Sequence, residues 1–145
     1  MTCVRAMAFL LALLLGATVA AGAAEPVPTP KMIFFASGST RGTAGGHVLR
    51  GNRDLYSVKA AAGRIMTVTI TAPDDNAVFQ IYEPGTQIGR DADGLLQFTG
   101  KALAHADDGD DATRWSGRLP RAGTYLIVIG STRGNARYTI DVKIE

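Results

Sequence analysis

The chain has 145 residues, with 15 Lys and Arg against 13 Asp and Glu, a formal charge of +2 and a single cysteine. So even a balance excludes a nucleic-acid groove, which needs cations clustered on one face. One cysteine excludes an internal disulfide, so stability has to come from core packing.

Arg5 is followed by the uncharged run Ala6–Ala24, whose apolar centre Phe9–Leu15 leads to the small-residue site Ala21-Gly22-Ala23. This is the pattern of a secretory signal peptide, residues 1–23. Its apolar centre is shorter than the ~20 residues a membrane span needs, so no span is expected in the mature form. Cys3 leaves with the signal, and no later cysteine can carry a lipid. A disulfide-free exported chain suits a bacterial periplasm or secretion from it.

Residues 24–31 are a Pro-rich extended tether, with Pro26, Pro28 and Pro30. Residues 32–145 form a single domain. Within it, Ile33–Ala36 is a short apolar strand, and Ser37–Gly46, rich in Gly, Ser and Thr, reads as a loop. Asp54–Ala60 alternates, with Tyr56, Val58 and Ala60 on one side and Leu55, Ser57 and Lys59 on the other. Arg64–Thr71 sets Met66, Val68 and Ile70 against Thr67, Thr69 and Thr71, whose β-branches suit a pleat. Pro73-Asp74-Asp75-Asn76 is turn chemistry, and Val78–Tyr82 is a strand stopped by Pro84-Gly85. Gln87–Ala112 reads as long loops with one or two short strands. Arg114–Leu119 alternates again, with Trp115 and Leu119 inward.

The last thirty residues are the most regular. Thr124–Ile129 is apolar on both faces, a central strand. Ala136–Ile144 alternates Tyr138, Ile140, Val142 and Ile144 against Thr139, Asp141 and Lys143. The turn Gly130–Asn135 makes them a hairpin with Arg133 and Arg137 at its tip or shoulder. No helical period follows the signal. The fold class is therefore all-β, an antiparallel, jelly-roll-like β-sandwich of about seven to nine strands.

Catalysis finds no support: His47 and His105 lie in loop-like stretches, and no G-x-S-x-G elbow or retained cysteine supplies a nucleophile. The chain is expected not to be an enzyme and to have no cofactor. Asp91-Ala92-Asp93-Gly94 and Asp107–Asp111 could offer oxygens to Ca²⁺. The first lacks the third ligand and distant Glu of an EF-hand loop, and solvated acidic turns are the simpler reading, with no metal site. The segment Gly38–Ala44 recurs nearly unchanged as Gly130–Ala136, which is either turn chemistry repeated or two loops offering Arg41 and Arg133 to one partner. Arg133 and Arg137 are either surface cations or rigid donor forks aimed at carboxylates.

A chain-long set of motifs resembles one bacterial periplasmic group. It runs G-x-V-x-x-G at Gly46–Gly51, D-x-Y-x-V-x-A-x-A-G at Asp54–Gly63, F-x-I-Y-x-P-G at Phe79–Gly85, W-S-G-x-L-P-x-x-G-x-Y at Trp115–Tyr125, and R-x-x-A-R-Y-x-I at Arg133–Ile140. The group is the inhibitors of g-type lysozyme and the related domains like the pre-peptidase C-terminal domain. In the inhibitors a loop with two arginines four apart enters the lysozyme cleft. The resemblance therefore implies partner-binding roles for Arg133 and Arg137, with Asn135, Arg53 and Asn52 in support; Asn52 stands where the inhibitors carry tyrosine. It implies a g-type lysozyme as partner, the alternative being an envelope accessory or carbohydrate-binding module that recognises cell-wall glycan without inhibiting.

Overall fold

The computed structural model describes residues 22–145; the signal-peptide reading of residues 1–23 falls, but for its last two residues, outside them. Ten strands are formed: β1 Lys31–Met32, β2 Arg41–Val48, β3 Asp54–Ala60, β4 Ile65–Thr71, β5 Ala77–Tyr82, β6 Gln87–Arg90, β7 Leu96–Thr99, β8 Arg114–Arg118, β9 Gly123–Ser131 and β10 Ala136–Ile144. They build an all-β sandwich. One sheet has the order β1-β3-β9-β5, the facing sheet β2-β10-β4-β8, and β6-β7 is a separate hairpin. Every pairing is antiparallel except that of β1 with β3.

The inward residues follow the alternation. Met66, Val68 and Ile70 of β4 and Tyr138, Ile140 and Val142 of β10 meet Tyr56, Val58, Phe79, Ile81, Tyr125, Ile127 and Ile129 from the other sheet in one buried cluster. Burying each such side chain stabilises by about 1.5–3 kcal/mol, which is how a fold without a disulfide holds.

Three elements differ from the sequence reading. First, β9 and β10 are not a hairpin: β9 lies between β3 and β5, β10 between β2 and β4, and the turn after Ser131 carries the chain from one sheet to the other. Second, Arg41–Gly46 is strand rather than loop. Its inward positions Gly42, Ala44 and Gly46 are small because neighbours occupy the space: a Cβ on Gly42 would lie 2.7 Å from Ile33 Cγ2, and one on Gly46 2.7 Å from Tyr138 Cζ. His47 is accordingly a strand residue, paired with Arg137. Third, only Lys31 and Met32 pair as a strand where Ile33–Ala36 was expected, with Ile33 N–H continuing to the Ser57 carbonyl at 2.9 Å. As expected, Gln87–Ala112 holds two short strands among its loops; they form the hairpin β6-β7, which folds over the outer face of the first sheet. Ile88, Leu96 and Phe98 cover Leu55, Tyr82, Leu126 and Val128 there, so Leu55 is buried rather than outward. This third layer explains why β9 is apolar on both faces.

The stretch 24–30 forms no strand, but Arg90 holds it: Nε donates to the Glu25 carbonyl at 3.0 Å and Nη2 to the Pro26 carbonyl at 3.2 Å.

Candidate functional site

The turn between β9 and β10 stands at one end of the sandwich and is held from below by Asn76, the last residue of the Pro73–Asn76 turn. Asn76 is 4% exposed. Its Nδ2 donates to the carbonyls of Arg133 and Asn135, both at 2.9 Å, and its own carbonyl accepts from Thr132 N–H at 3.0 Å. Oδ1 has no partner. The amide cannot be turned over, since that would set its oxygen against two carbonyls. Within the turn, Ser131 Oγ donates to the Gly134 carbonyl at 2.7 Å, and Gly134 takes a φ of 57°, where glycine is favoured. Asn135 Oδ1 accepts from Arg50 N–H at 2.9 Å and so ties the turn to the loop bearing Asn52 and Arg53.

These bonds fix where the cations stand. Arg133 is exposed, and its Nη2 donates to the Asp74 carbonyl, leaving the rest of its donors to solvent. Arg137 is the second residue of β10 and lies on the outer face of its sheet. It shares an open depression of about 390 Å³ with Thr71, Ala72, Pro73 and Thr139. Arg133 and Arg137 thus straddle the Pro73–Asn76 turn, and among the described residues neither forms an ion pair. Arg53 is half-buried: its guanidinium lies against Gly130, where an added Cβ would come within 3.1 Å of Nη1, and Nη1 donates to the Asn52 carbonyl at 3.0 Å. Asn52 is exposed at the rim.

The repeated heptapeptide does not bring its two arginines together. Arg41 pairs in register with Lys143 and Ala136 with Val48, so the copies lie at opposite ends of β10, ~24 Å apart by strand rise. Arg41 instead forms an ion pair with Asp141 at 2.7 Å, and that contact raises its pKa.

The acidic loops are occupied by their own backbone. Asp91 Oδ1 accepts from the N–H groups of Asp93 and Leu95, and Asp110 Oδ2 from that of Asp107. No cluster of three metal-ligating side chains occurs among the described residues. No described helix is long and apolar enough to cross a membrane.

Sequence reasoning missed Asn76, whose only signal was its place at the end of a Pro-Asp-Asp turn. It also missed the buried polar group beneath the neighbouring strands. Tyr138 Oη donates to Asp54 Oδ2 at 2.6 Å and lies 3.0 Å from the Tyr56 hydroxyl, the two rings meeting edge to face. Burial first, then these bonds, push the Tyr138 phenol well above its ordinary range.

Solved structures share this architecture. The periplasmic inhibitor of g-type lysozyme, PliG, of Aeromonas hydrophila is 28% identical, with 81% of this chain and 96% of that protein covered and a TM-score of 0.64. PliG of Salmonella Typhimurium is 19% identical, with 81% and 100% covered and a TM-score of 0.53. The pre-peptidase C-terminal domain of a Bacillus anthracis collagenase is 13% identical, with 82% and 98% covered and a TM-score of 0.50. The last two show the fold alone. The likeness carried by the sequence motifs is therefore met in three dimensions. No family model matches the chain, and no curated protein does.

Proposed function

We propose that this chain is an exported, non-enzymatic inhibitor of a g-type lysozyme, working in the periplasm once residues 1–23 have been removed. The observation that carries this reading is the likeness to the Aeromonas hydrophila inhibitor over 96% of that protein's length. The arrangement of the arginine end is in keeping with it. Glycoside hydrolase clefts are lined with carboxylates. Arg133, held forward by Asn76 and the Asp74 carbonyl, offers charge-assisted hydrogen bonds to such acids, and Arg137 adds a second cation on the flank. Asn135, Asn52 and Arg53 form the surrounding rim.

Affinity in this scheme comes from preorganisation. The turn is fixed by hydrogen bonds before any partner arrives, so little main-chain entropy is lost on docking. Blocking the cleft requires no chemistry from the inhibitor, only occupancy. The direct test mixes the purified protein with a g-type lysozyme and follows lysis of cell walls. Slowing at micromolar protein, abolished by Arg133→Ala with Arg137→Ala, is the expected result. Undiminished inhibition by the double variant would remove the site, and no slowing by the parent protein would remove the function.

A further inference from the structure

A trough lies on the outer face of the first sheet, beside the hairpin β6-β7, and its inner end reaches Gly130 and Ser131 at the end of β9. It encloses about 330 Å³, within the ~300–1,000 Å³ range of small-molecule sites, and continues into a pocket of about 70 Å³. Its floor is the half-buried ring of Phe98, packed on buried Tyr82 with ring centroids 5.6 Å apart and planes tilted by 30°. Its walls are polar. Tyr82 Oη donates to Gln80 Oε1 at 3.1 Å, and Gln80 Nε2 donates to Asp108 Oδ1 at 2.7 Å. This relay fixes the Asp108 carboxylate from a well-packed strand. Opposite stands Arg53, and exposed Gln97 completes the rim.

Arg53 and Asp108 line both parts of the trough yet form no ion pair. Each is held back by another bond, Arg53 by the Asn52 carbonyl and Asp108 by Gln80. The larger part of the trough is therefore flanked by a donor fork and an acceptor whose charges cancel, while Asp111 adds a carboxylate to the smaller pocket. A ligand that fits the larger part carries hydroxyls able to donate and accept, an apolar face for the Phe98 ring, and no net charge. That is the chemistry of a pyranose, whose axial C–H groups stack on aromatic rings while its hydroxyls satisfy amides, carboxylates and guanidinium.

We infer that the trough between Arg53 and Asp108, floored by Phe98 packed on Tyr82, is a binding site for a neutral sugar residue. The inference does not depend on the lysozyme reading. The test is an amide-resolved NMR titration of the protein with cellobiose and, separately, with the disaccharide of N-acetylglucosamine. Saturable shifts confined to Gln80, Gln97, Phe98 and Asp108 are expected with at least one of them. Gln97→Ala and Asp108→Ala should each weaken binding about tenfold, the loss of one or two ordinary hydrogen bonds, while Arg137→Ala leaves it unchanged. Both surface variants should keep the parent spectrum elsewhere, separating binding from folding. Absence of saturable shifts at these residues with both sugars at tens of millimolar overturns the assignment, as do shifts that persist unchanged when Gln97 and Asp108 are both replaced.

Discussion

The side-chain amide of Asn76 holds the main chain of Arg133, donating to its carbonyl at 2.9 Å from a position 4% exposed. The same nitrogen reaches Asn135, so one buried residue sets the geometry of the turn that carries the exposed cation.

Replacing Asn76 with Ala removes both donations and leaves two carbonyls without that partner. A loss of about 1–3 kcal/mol in unfolding free energy is expected from chemical denaturation. Asn76→Asp should cost more, since a carboxylate would face two carbonyl oxygens. In the lysis assay, both variants should weaken inhibition more than their loss of folded protein accounts for.

Asp74 and Asp75 lie on the turn that Arg133 and Arg137 straddle, and their carboxylates offset part of the local positive field. Asp74→Asn with Asp75→Asn should therefore tighten binding to an acidic cleft, chiefly through faster association, and make it more sensitive to salt. Asparagine tolerates the positive φ of 48° at position 75, so the fold should be undisturbed. Association rates measured at two ionic strengths check this; equal rates for parent and variant would refute it.

Tyr138 keeps its proton in the folded chain where the unfolded chain, with an ordinary phenol near 10, gives it up. Its contribution to stability is thus fully present below about pH 10 and declines as the pH climbs toward the higher folded value. Melting temperatures recorded from neutral pH upward should fall beyond that point, and Tyr138→Phe should flatten the decline. At neutral pH the same variant should lose about 1 kcal/mol, because Asp54 loses its hydroxyl donor.

A methyl group on Gly46 would press on the hydroxyl and ring of Tyr138. Gly46→Ala should destabilise by about 1–3 kcal/mol, the usual cost of overpacking. Gly45→Ala, facing only a backbone oxygen at 3.3 Å, should cost less, and comparing the two denaturation midpoints separates packing from glycine's general flexibility.

The strands that alternate plainly were legible because one face of each meets the core: β3, β4 and β10 each start and end within one residue of where their periodicity placed them. The glycine-rich β2 was not, since its inward positions are small to admit Ile33 and Tyr138, and small residues carry no hydrophobic period. The crossing of β9 and β10 between sheets was hidden because a short turn looks alike whether it folds a hairpin or changes layer. What decides the matter is Asn76, far away in sequence, which binds the inner side of that turn. That Asn76 would brace the turn bearing Arg133 could not be read from the sequence: its amide bonds backbone carbonyls, and a carbonyl has no letter of its own.

The two strands nearest the carboxyl end sit at the middle of opposite sheets, β9 flanked by β3 and β5 and β10 by β2 and β4. Without them the first sheet keeps only the β1-β3 pair, the facing sheet keeps only β4-β8, and β2 and β5 have no neighbour. During synthesis, then, the preceding residues have no finished layer to settle into and should remain open until the closing pair arrives. Under the export proposed above, in which the chain is threaded through a narrow channel as an unfolded filament, that ordering delays premature collapse to the last possible moment.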